Sequence, residues 1–311
     1  MATSNLNAPH FTNADKARQY LEAQVWPNGP VCPHCASVSY EHYKLKGKSN
    51  RPGLWKCKDC REPFTVTVGS LFHRSKVPLN IWLLAVYLLS SSKKGISSHQ
   101  LHRTLGVTYK TAWFMSHRIR EAMAGSSGFG MLGGGGKIVE ADETFWGTED
   151  GKNKHTRGSG HKMKIMSLVE RDGKVRSYHI TDIKAKTMRE VLKGNVHPDT
   201  HLMTDEAWQY VKTGKEFKKH STVNHGLKEY ARGPVSTNTI EGFFSIFKRG
   251  LVGTYQHIGS QHLQRYATEF DFRYNNRTAL GVDDVMRTNE ALKGISNKRL
   301  TYRRIDQPQT I

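Results

Sequence analysis

Apolar residues recur with helical spacing in several parts of the chain, most regularly near residue 240. Five of them repeat every three to four positions: Ile240, Phe243, Phe244, Phe247 and Leu251. This spacing predicts a helix with one buried face, beginning at Thr237, Asn238 or Thr239, which are all good N-cap residues. Glu241 then lies near the first turn, and Lys248 follows two turns later on the same face. The two side chains fit an ordinary ion pair, and Glu241 also fits one member of a metal-binding set.

Helical spacing also dominates an earlier part of the chain. It predicts three helices, at Pro78–Leu89, Ser97–Thr104 and Tyr109–Arg120. A Gly-containing turn separates the last two, which is typical of a helix-turn-helix, although a plain helical bundle is the alternative. The last of the three helices, with the residue before it, is predicted to present six residues outward: Thr108, Tyr109, Lys110, Thr111, His117 and Arg118.

After residue 136 the apolar pattern changes from the helical to the strand period. Four strands and a helix are predicted in the order Lys137–Trp146, Lys162–Glu170, Lys174–Asp182, the helix Lys184–Lys193, and Thr200–Thr204. Asp172-Gly173 is a hairpin signal between the second and third strands, and residues 221–224 are a candidate fifth strand. The order predicts an α/β (α+β multidomain) protein whose later part has a ribonuclease-H-like fold with a mixed sheet.

The net charge of the chain indicates a class of binding partner. The chain of 311 residues has a formal net charge of +20, an excess that indicates binding to a polyanion, most commonly nucleic acid. A generically basic soluble protein is the alternative. The longest apolar run, Ile81–Leu89, has nine residues, about half of what a bilayer requires. With no secretory signal at the N-terminus, we expect a cytoplasmic protein that does not bind a membrane.

Four cysteines form two tight pairs, Cys32 and Cys35, then Cys57 and Cys60 after 21 intervening residues. Paired C-x-x-C motifs at this separation predict one structural Zn²⁺ in a zinc ribbon. Disulfides or a redox dithiol are disfavoured by the reducing compartment expected here. His34 is expected on the surface. Seven basic residues surround the pairs and predict phosphate contacts, or a solvated basic face: Lys44, Lys46, Lys48, Arg51, Lys56, Lys58 and Arg61.

Three acidic residues occupy positions that a ribonuclease-H-like sheet brings together. Asp142 lies on the first strand, Asp205 ends the fourth, and Glu241 follows after 35 intervening residues. Three converging carboxylates repel one another unless divalent cations lie between them. We therefore predict a catalytic site for Mg²⁺ or Mn²⁺, with two ions, one activating the attacking oxygen and one stabilising the leaving oxygen.

Other residues near these acids are weighed as alternatives. Glu140 shares a sheet face with Asp142 and is a fallback ligand or a partner of one, whereas Glu143 points to the opposite face. Glu206 is expected to cap a helix. Basic residues between the second and third acids are predicted to follow a DNA backbone: Lys212, Lys215, Lys218, Lys219, Lys228 and Arg232. Three aromatic residues suit base stacking, although core packing is favoured: Trp146, Trp208 and Tyr210.

With these motifs the sequence resembles the DDE transposases of prokaryotic insertion sequences, specifically those with an N-terminal zinc ribbon. The resemblance covers about residues 12–280 and includes both cysteine pairs and the helix-turn-helix. Its other matching segments are Ala141–Phe145, Met203–Asp205, Asn238–Phe244 with Lys248, and Arg273–Arg277.

The resemblance implies a metal-dependent enzyme that nicks double-stranded DNA at element ends and joins the freed 3′-hydroxyl to target DNA. It implies that Asp142, Asp205 and Glu241 hold the metal ions and that Lys248 contacts a DNA phosphate. Some related members rely on the Asn of the last motif, so Asn238 is a candidate to share the third acidic role. A homo-oligomer on DNA, in the prokaryotic nucleoid, is expected. A DNA-binding regulator derived from a transposase, or a nuclease that does not join strands, are the alternatives.

Together these patterns predict six parts of the chain. Residues 125–136, with seven glycines and no charge, are predicted to be a flexible linker. The other parts are an N-terminal helix at 12–30, the zinc ribbon at 31–70, the helix-turn-helix at 76–124, the catalytic domain at 137–285 and a basic C-terminal tail at 286–311.

Overall fold

A computed structural model describes residues 5–39, 41–47, 49–125, 130–227, 229 and 231–301. It divides into two compact units. The first contains the described residues of Met1–Ser92, Ile96–Ser126 and Asp283–Ile311, and the second contains those of Lys93–Gly95 and Ser127–Val282. No helix in the described part of the chain combines the length and apolar character needed to cross a bilayer.

The first unit begins with two helices and a small sheet. Helix α1 spans Pro9–Thr12 and α2 spans Ala14–Val25, where the Asn13 side chain caps α2 by accepting hydrogen bonds from the backbone N–H groups of Asp15 and Lys16. Three short antiparallel strands follow: β1 (Tyr43–Lys44), β2 (Trp55–Lys56) and β3 (Pro63–Phe64). Cys32 and Cys35 precede these strands, and Cys57 and Cys60 lie between β2 and β3.

Three helices lie in the segment where a helix-turn-helix was predicted. Helix α3 spans Leu79–Ser91, α4 spans Ser98–Leu105 and α5 spans Tyr109–Gly125. Ser97 caps α4 by accepting a hydrogen bond from the Gln100 N–H. Gly106 ends α4 with a φ of 64°, a left-handed conformation that glycine adopts without steric cost.

The predicted outward face of α5 is wrong at two positions. His117 is 1% exposed and its ring packs on Trp113 with centroids 4.2 Å apart, because residues four apart share a helix face. Arg118 donates hydrogen bonds to the carbonyl oxygens of Leu71 and Leu300. Tyr109 and Lys110 are exposed, so the outward face is the first turn of the helix.

The C-terminal segment is not only a tail. Helix α10 spans Asp284–Lys293, inside a range predicted to be partly catalytic domain and partly tail, and it belongs to the first unit. Ala291, Leu292 and Ile295 are fully buried. The Leu71 N–H donates to the Ile295 carbonyl across 3.0 Å. Burial of these apolar side chains packs the segment into the first unit. Residues 302–311 lie outside the described residues.

The second unit is built on a five-stranded mixed sheet. Its strands are β4 (Ile138–Trp146), β5 (Met163–Glu170), β6 (Val175–Ile180), β7 (His201–Asp205) and β8 (Lys219–Val223). They lie in the order β6-β5-β4-β7-β8. Two more short strands, β9 (Ala231–Arg232) and β10 (Val235–Ser236), pair with each other. The first three strands of the sheet are antiparallel, and β7 and β8 are parallel to β4. This is the predicted ribonuclease-H-like arrangement, and the candidate fifth strand is present.

Helices cover both faces of this sheet. Helices α6 (Ala185–Asn195) and α7 (Trp208–Gly214) pack on one face around Val139, Ala141 and Leu202. Helices α8 (Asn238–Gly250) and α9 (Leu263–Asn275) pack on the other, where the predicted apolar stripe of α8 meets Ile165 and Val169. Because side chains alternate along a strand, this arrangement gives each face of β4 its own set of partners.

The glycine-rich stretch is not flexible throughout. Residues 126–129 lie outside the described residues, but Leu132 is buried and its backbone N–H donates to the Asn195 carbonyl across 2.7 Å. The Gly133 N–H donates to the Glu170 carboxylate, and the Gly134 N–H donates to Thr200 Oγ1. One buried leucine and these backbone bonds fix residues 130–136 to the second unit, against the prediction of a linker over the whole stretch.

Candidate active site and zinc centre

The four cysteines form one cluster in the first unit. All four sulfur atoms lie within 4.8 Å of one another, with Cys32 and Cys60 Sγ atoms 3.6 Å apart and those of Cys35 and Cys57 3.7 Å apart. A tetrahedron with Zn–S bonds of about 2.3 Å has edges of about 3.8 Å, whereas a disulfide requires about 2.05 Å. The cluster therefore fits a zinc ion and excludes disulfides between these pairs.

Among the described residues, His42 and Asp59 are the other side chains close enough to compete, and His42 is the one that offers ring nitrogens. With Cys57 and Asp59 it forms a second group of possible ligands. Its ring is already used: Nδ1 accepts from the Lys58 N–H, and Nε2 lies 3.2 Å from the Ser37 carbonyl. His34 is exposed, as predicted. The four cysteines are thus the ligand set.

The basic residues of the ribbon are only partly available for phosphate. Lys44 pairs with Glu22 across 3.2 Å and lies over the Trp55 ring, and Lys58 pairs with Glu41. Lys46, Arg51 and Arg61 are exposed, whereas Lys56 is half-buried and Lys48 lies outside the described residues.

Asp142 and Asp205 lie side by side in the second unit. Strand β4 pairs in parallel with β7 through Glu140 and Met203. The pairing ends there, and two positions further along the two strands lie Asp142 and Asp205. Both residues then point to the sheet face that α8 and α9 cover. The Asp142 carboxylate accepts a hydrogen bond from the Glu143 N–H across 2.7 Å, and that of Asp205 accepts one from the Ala207 N–H across 3.1 Å.

Glu241 faces this pair from the first turn of α8. Thr237 Oγ1 donates a hydrogen bond to Glu241 Oε1 across 2.8 Å, and His225 Nε2 lies 3.5 Å from the same oxygen. Lys248 and Asn238 are exposed on the same helix. The ion pairs found among the described residues do not include one between Glu241 and Lys248, so the simple pairing considered from sequence is not formed.

The charges of Asp205 and Glu241 act on the carboxyl group of Asp142. Burial, together with the negative charges of Asp205 and Glu241, raises the pKa of Asp142 to about 7. In the described part of the chain, their oxygens do not belong to a group lying wholly within 4.8 Å. The three acids therefore interact, but are spaced more widely than the four cysteines.

Glu140 does not point at a metal position. Its carboxylate is fully buried and accepts hydrogen bonds from the Ile240 N–H at 3.0 Å and from Thr239 Oγ1 at 2.9 Å. Arg171 Nε lies 2.7 Å from the same carboxylate, and its Nη2 donates to the Ser236 carbonyl at 3.0 Å. Glu140 and Arg171 thus hold the start of α8, the helix that carries Glu241, against β4.

The remaining candidate acids have separate partners. Glu143 points to the opposite sheet face from Asp142, as predicted, and accepts a hydrogen bond from the buried Tyr210 hydroxyl. Burial raises the pKa of Glu143 to about 8. Glu206 does not cap α7; its carboxylate accepts the backbone N–H groups of His225 and Gly226, both at 3.1 Å.

Sequence reasoning missed His225 and Arg171. His225 lies two residues beyond Val223, which pairs with Asp205 in the register of β7 and β8. The only signal in the sequence was its position directly after a strand that ends at the same edge as Asp205. Arg171 lies in the turn after β5, and nothing local distinguishes it from a solvated arginine.

Comparison with known proteins agrees with this architecture. Residues 131–275 match the family model of the ISXO2-like transposase domain, and residues 12–62 match that of the transposase zinc-ribbon domain. The chain is also 28% identical over 282 residues to an uncharacterized protein in transposable element ISH50 of Halobacterium salinarum. That alignment covers 85% of this chain and 91% of the relative.

The matched domains imply a nucleotidyl-transferase-type enzyme of the DDE class with an N-terminal zinc ribbon. Residues 12–62 thus form a transposase zinc-ribbon domain and residues 131–275 an ISXO2-like transposase domain.

Proposed function

We propose that this protein binds the ends of its insertion sequence and cleaves and joins DNA strands there, using divalent metal ions held by Asp142, Asp205 and Glu241. The observation that supports this most is the placement of Asp142 and Asp205 on the neighbouring strands β4 and β7, with Glu241 on the first turn of α8; burial and the charges of Asp205 and Glu241 raise the pKa of Asp142. Three neighbouring carboxylates, two on strands of the sheet and one on a helix, disfavour full ionisation without a cation.

The donor set suits Mg²⁺ or Mn²⁺. Carboxylate oxygens are the hard ligands these ions prefer, and the proposed set of three acids contains no thiol and no imidazole. Two ions bound here would polarise the attacking and the leaving oxygen of a phosphodiester. The chain's own contribution is positioning: β4 and β7 fix two acids, Glu140 fixes α8, and Thr237 and His225 orient Glu241.

DNA binding is assigned mainly to the first unit. The exposed first turn of α5, with Tyr109 and Lys110, has the placement of a recognition helix. Residues 1–124 carry 17 Lys and Arg against 6 Asp and Glu, a net charge of +11, which favours phosphate contacts. Lys248, exposed two turns after Glu241, is proposed to contact a phosphate near the cleavage site, and Asn238 to assist Glu241.

The test is cleavage and strand transfer on duplexes that carry one terminal repeat of the element, with Mg²⁺ present. Asp142→Asn, Asp205→Asn and Glu241→Gln are each expected to reduce both reactions more than about 100-fold while DNA binding is retained. Asp199→Asn, which removes a carboxylate that is 65% exposed, is the matched control and should react like wild type.

The outcomes separate the alternatives. Wild-type strand transfer in all three variants would overturn the catalytic assignment and favour a DNA-binding regulator. Cleavage without joining in the wild-type protein would favour a nuclease. An Asn238→Ala variant as inactive as Glu241→Gln would assign the third role to both residues.

A further inference from the structure

Trp208 is the residue whose environment departs most from expectation. It was predicted to be core, yet its side chain is 71% exposed, whereas Tyr210 two residues later is fully buried. An indole is the largest side chain, and leaving it in water forfeits the gain of burying it. An exposed tryptophan near the candidate active site therefore indicates a binding role, whereas a single exposed leucine on the surface does not.

The exposed face of α7 continues this feature with positive charge. Trp208, Val211, Lys212 and Lys215 are exposed and are spaced at three to four residues, so they form one stripe, while Tyr210, Thr213 and Gly214 face the core. Within the described residues, neither lysine forms a salt bridge. An aromatic ring followed by free cations is the combination with which proteins hold single-stranded nucleic acid.

The stripe starts close to the acids. Asp205 is three residues before Trp208, so their Cα atoms are at most about 11 Å apart. The hydrogen bond from the Ala207 N–H to the Asp205 carboxylate folds this connection into a turn, which shortens the distance. Since a DNA strand advances about 3.4 Å per nucleotide, the indole lies within about three nucleotides of a phosphate bound at Asp205.

A second exposed apolar residue lies beside the same turn. Leu227 is 80% exposed and follows Gly226, whose N–H bonds the Glu206 carboxylate. Glu206 thus holds the turn that carries Leu227 next to the turn that carries Trp208. Two large apolar side chains at one edge of the sheet suit the face of a base better than a phosphate backbone.

We propose that Trp208 stacks on a nucleobase of the DNA substrate that is unstacked from the duplex within about three nucleotides of the scissile phosphate. Lys212 and Lys215 contact phosphates of the same strand. Stacking on the indole compensates for the lost base stacking and opens the strand to be cut. This inference rests on the proposed function, because the base belongs to the strand positioned by the acids.

Photocrosslinking tests the contact directly. Duplexes of one terminal repeat, with 5-iodouracil placed in turn at each position near the cleavage site, are irradiated with the full-length Asp142→Asn variant, and the joined peptide is identified by mass spectrometry. A crosslink to Trp208 at one position is expected. It should persist in Trp208→Phe and in the control Val252→Ala, which changes an exposed apolar residue outside this stripe, and disappear in Trp208→Ala. A crosslink pattern unchanged in Trp208→Ala would overturn the proposal.

Cleavage measures what the contact contributes. Trp208→Ala is expected to react about 5- to 150-fold more slowly on a paired duplex, the range that stacking on an aromatic ring supplies. A mismatch at the crosslinked position should restore most of the rate, and failure of that rescue would overturn the unstacking role. A Trp208 crosslink in a protein that never cleaves would refute the proposed function alone. Cleavage without a Trp208 crosslink would refute this inference alone.

Discussion

The backbone N–H of Ile240 donates a hydrogen bond to the buried carboxylate of Glu140 across 3.0 Å. The bond joins the first turn of α8 to the strand that carries Asp142, and Glu241 is the next residue after Ile240. The same carboxylate pairs with Arg171, which also donates hydrogen bonds to the Pro234 and Ser236 carbonyls. The charge of Glu140 therefore holds the segment that leads into α8. The spacing between the first and third acids depends on this charge.

Glu140→Gln should therefore destabilise the protein although the side chain keeps its shape. It leaves Arg171 partly buried without its carboxylate, and breaking such a pair costs about 3–5 kcal/mol. Urea unfolding measures the change in free energy. The control Glu229→Gln removes a surface pair with Arg232 and should change it by less than about 1 kcal/mol. Equal effects of the two variants would show that Glu140 does not anchor α8.

Zinc should be lost when one cysteine of the cluster is removed. Cys57→Ser leaves three thiolates, and structural zinc sites contribute directly to folding free energy. We expect one zinc per chain in the reduced wild-type protein, none in the variant, and a lower melting temperature, by metal analysis and thermal unfolding. His34→Ala, within the same motif but outside the cluster, should keep its zinc. Zinc-free wild-type protein with an unchanged fold would refute the site.

Packing of the C-terminal segment into the first unit can be tested at one glycine. A Cβ on Gly294 would lie 2.1 Å from the backbone oxygen of Ala122, which can move only if α5 or the segment shifts. Gly294→Ala should therefore lower the melting temperature. Gly194→Ala, on α6 where a Cβ meets nothing within 4 Å, should instead add about 0.5–1 kcal/mol. A stabilising Gly294→Ala would mean that the segment is not packed against α5.

Local patterns predicted most of the fold, and non-local partners account for what they missed. Strand β4 was predicted as Lys137–Trp146 and is Ile138–Trp146, since alternation and turn residues are local signals. The packing of α10, the pairing of Glu140 with Arg171 and the position of His225 depend on contacts between residues far apart in sequence, which carry no local signal. For Trp208, the helical period predicts which side of α7 it lies on. It does not predict whether another element packs on that side and buries the ring.

Asp271 supplies a prediction for pH. It is buried on α9, accepts hydrogen bonds from the Ser177 N–H and Oγ at 2.7 and 2.6 Å, and burial raises its pKa to about 7. The folded protein thus holds this proton at pH values where the unfolded chain, with a pKa near 3.8, has released it. Stability should therefore fall as the pH rises from about 4 to 7, by up to about 1.4 kcal/mol per pH unit.

Asp271→Asn removes the titration while keeping an oxygen that can accept from Ser177. The variant's free energy of unfolding should change less between pH 4 and 7 than that of the wild type, as measured by urea unfolding at several pH values. Asp182→Asn is a suitable control, because the pKa of that exposed carboxyl is lowered, chiefly by its hydrogen bond from Thr187. It should leave the fall in stability in place. A wild-type curve that rises over this range and is unchanged in Asp271→Asn would show that Asp271 ionises normally in the folded protein.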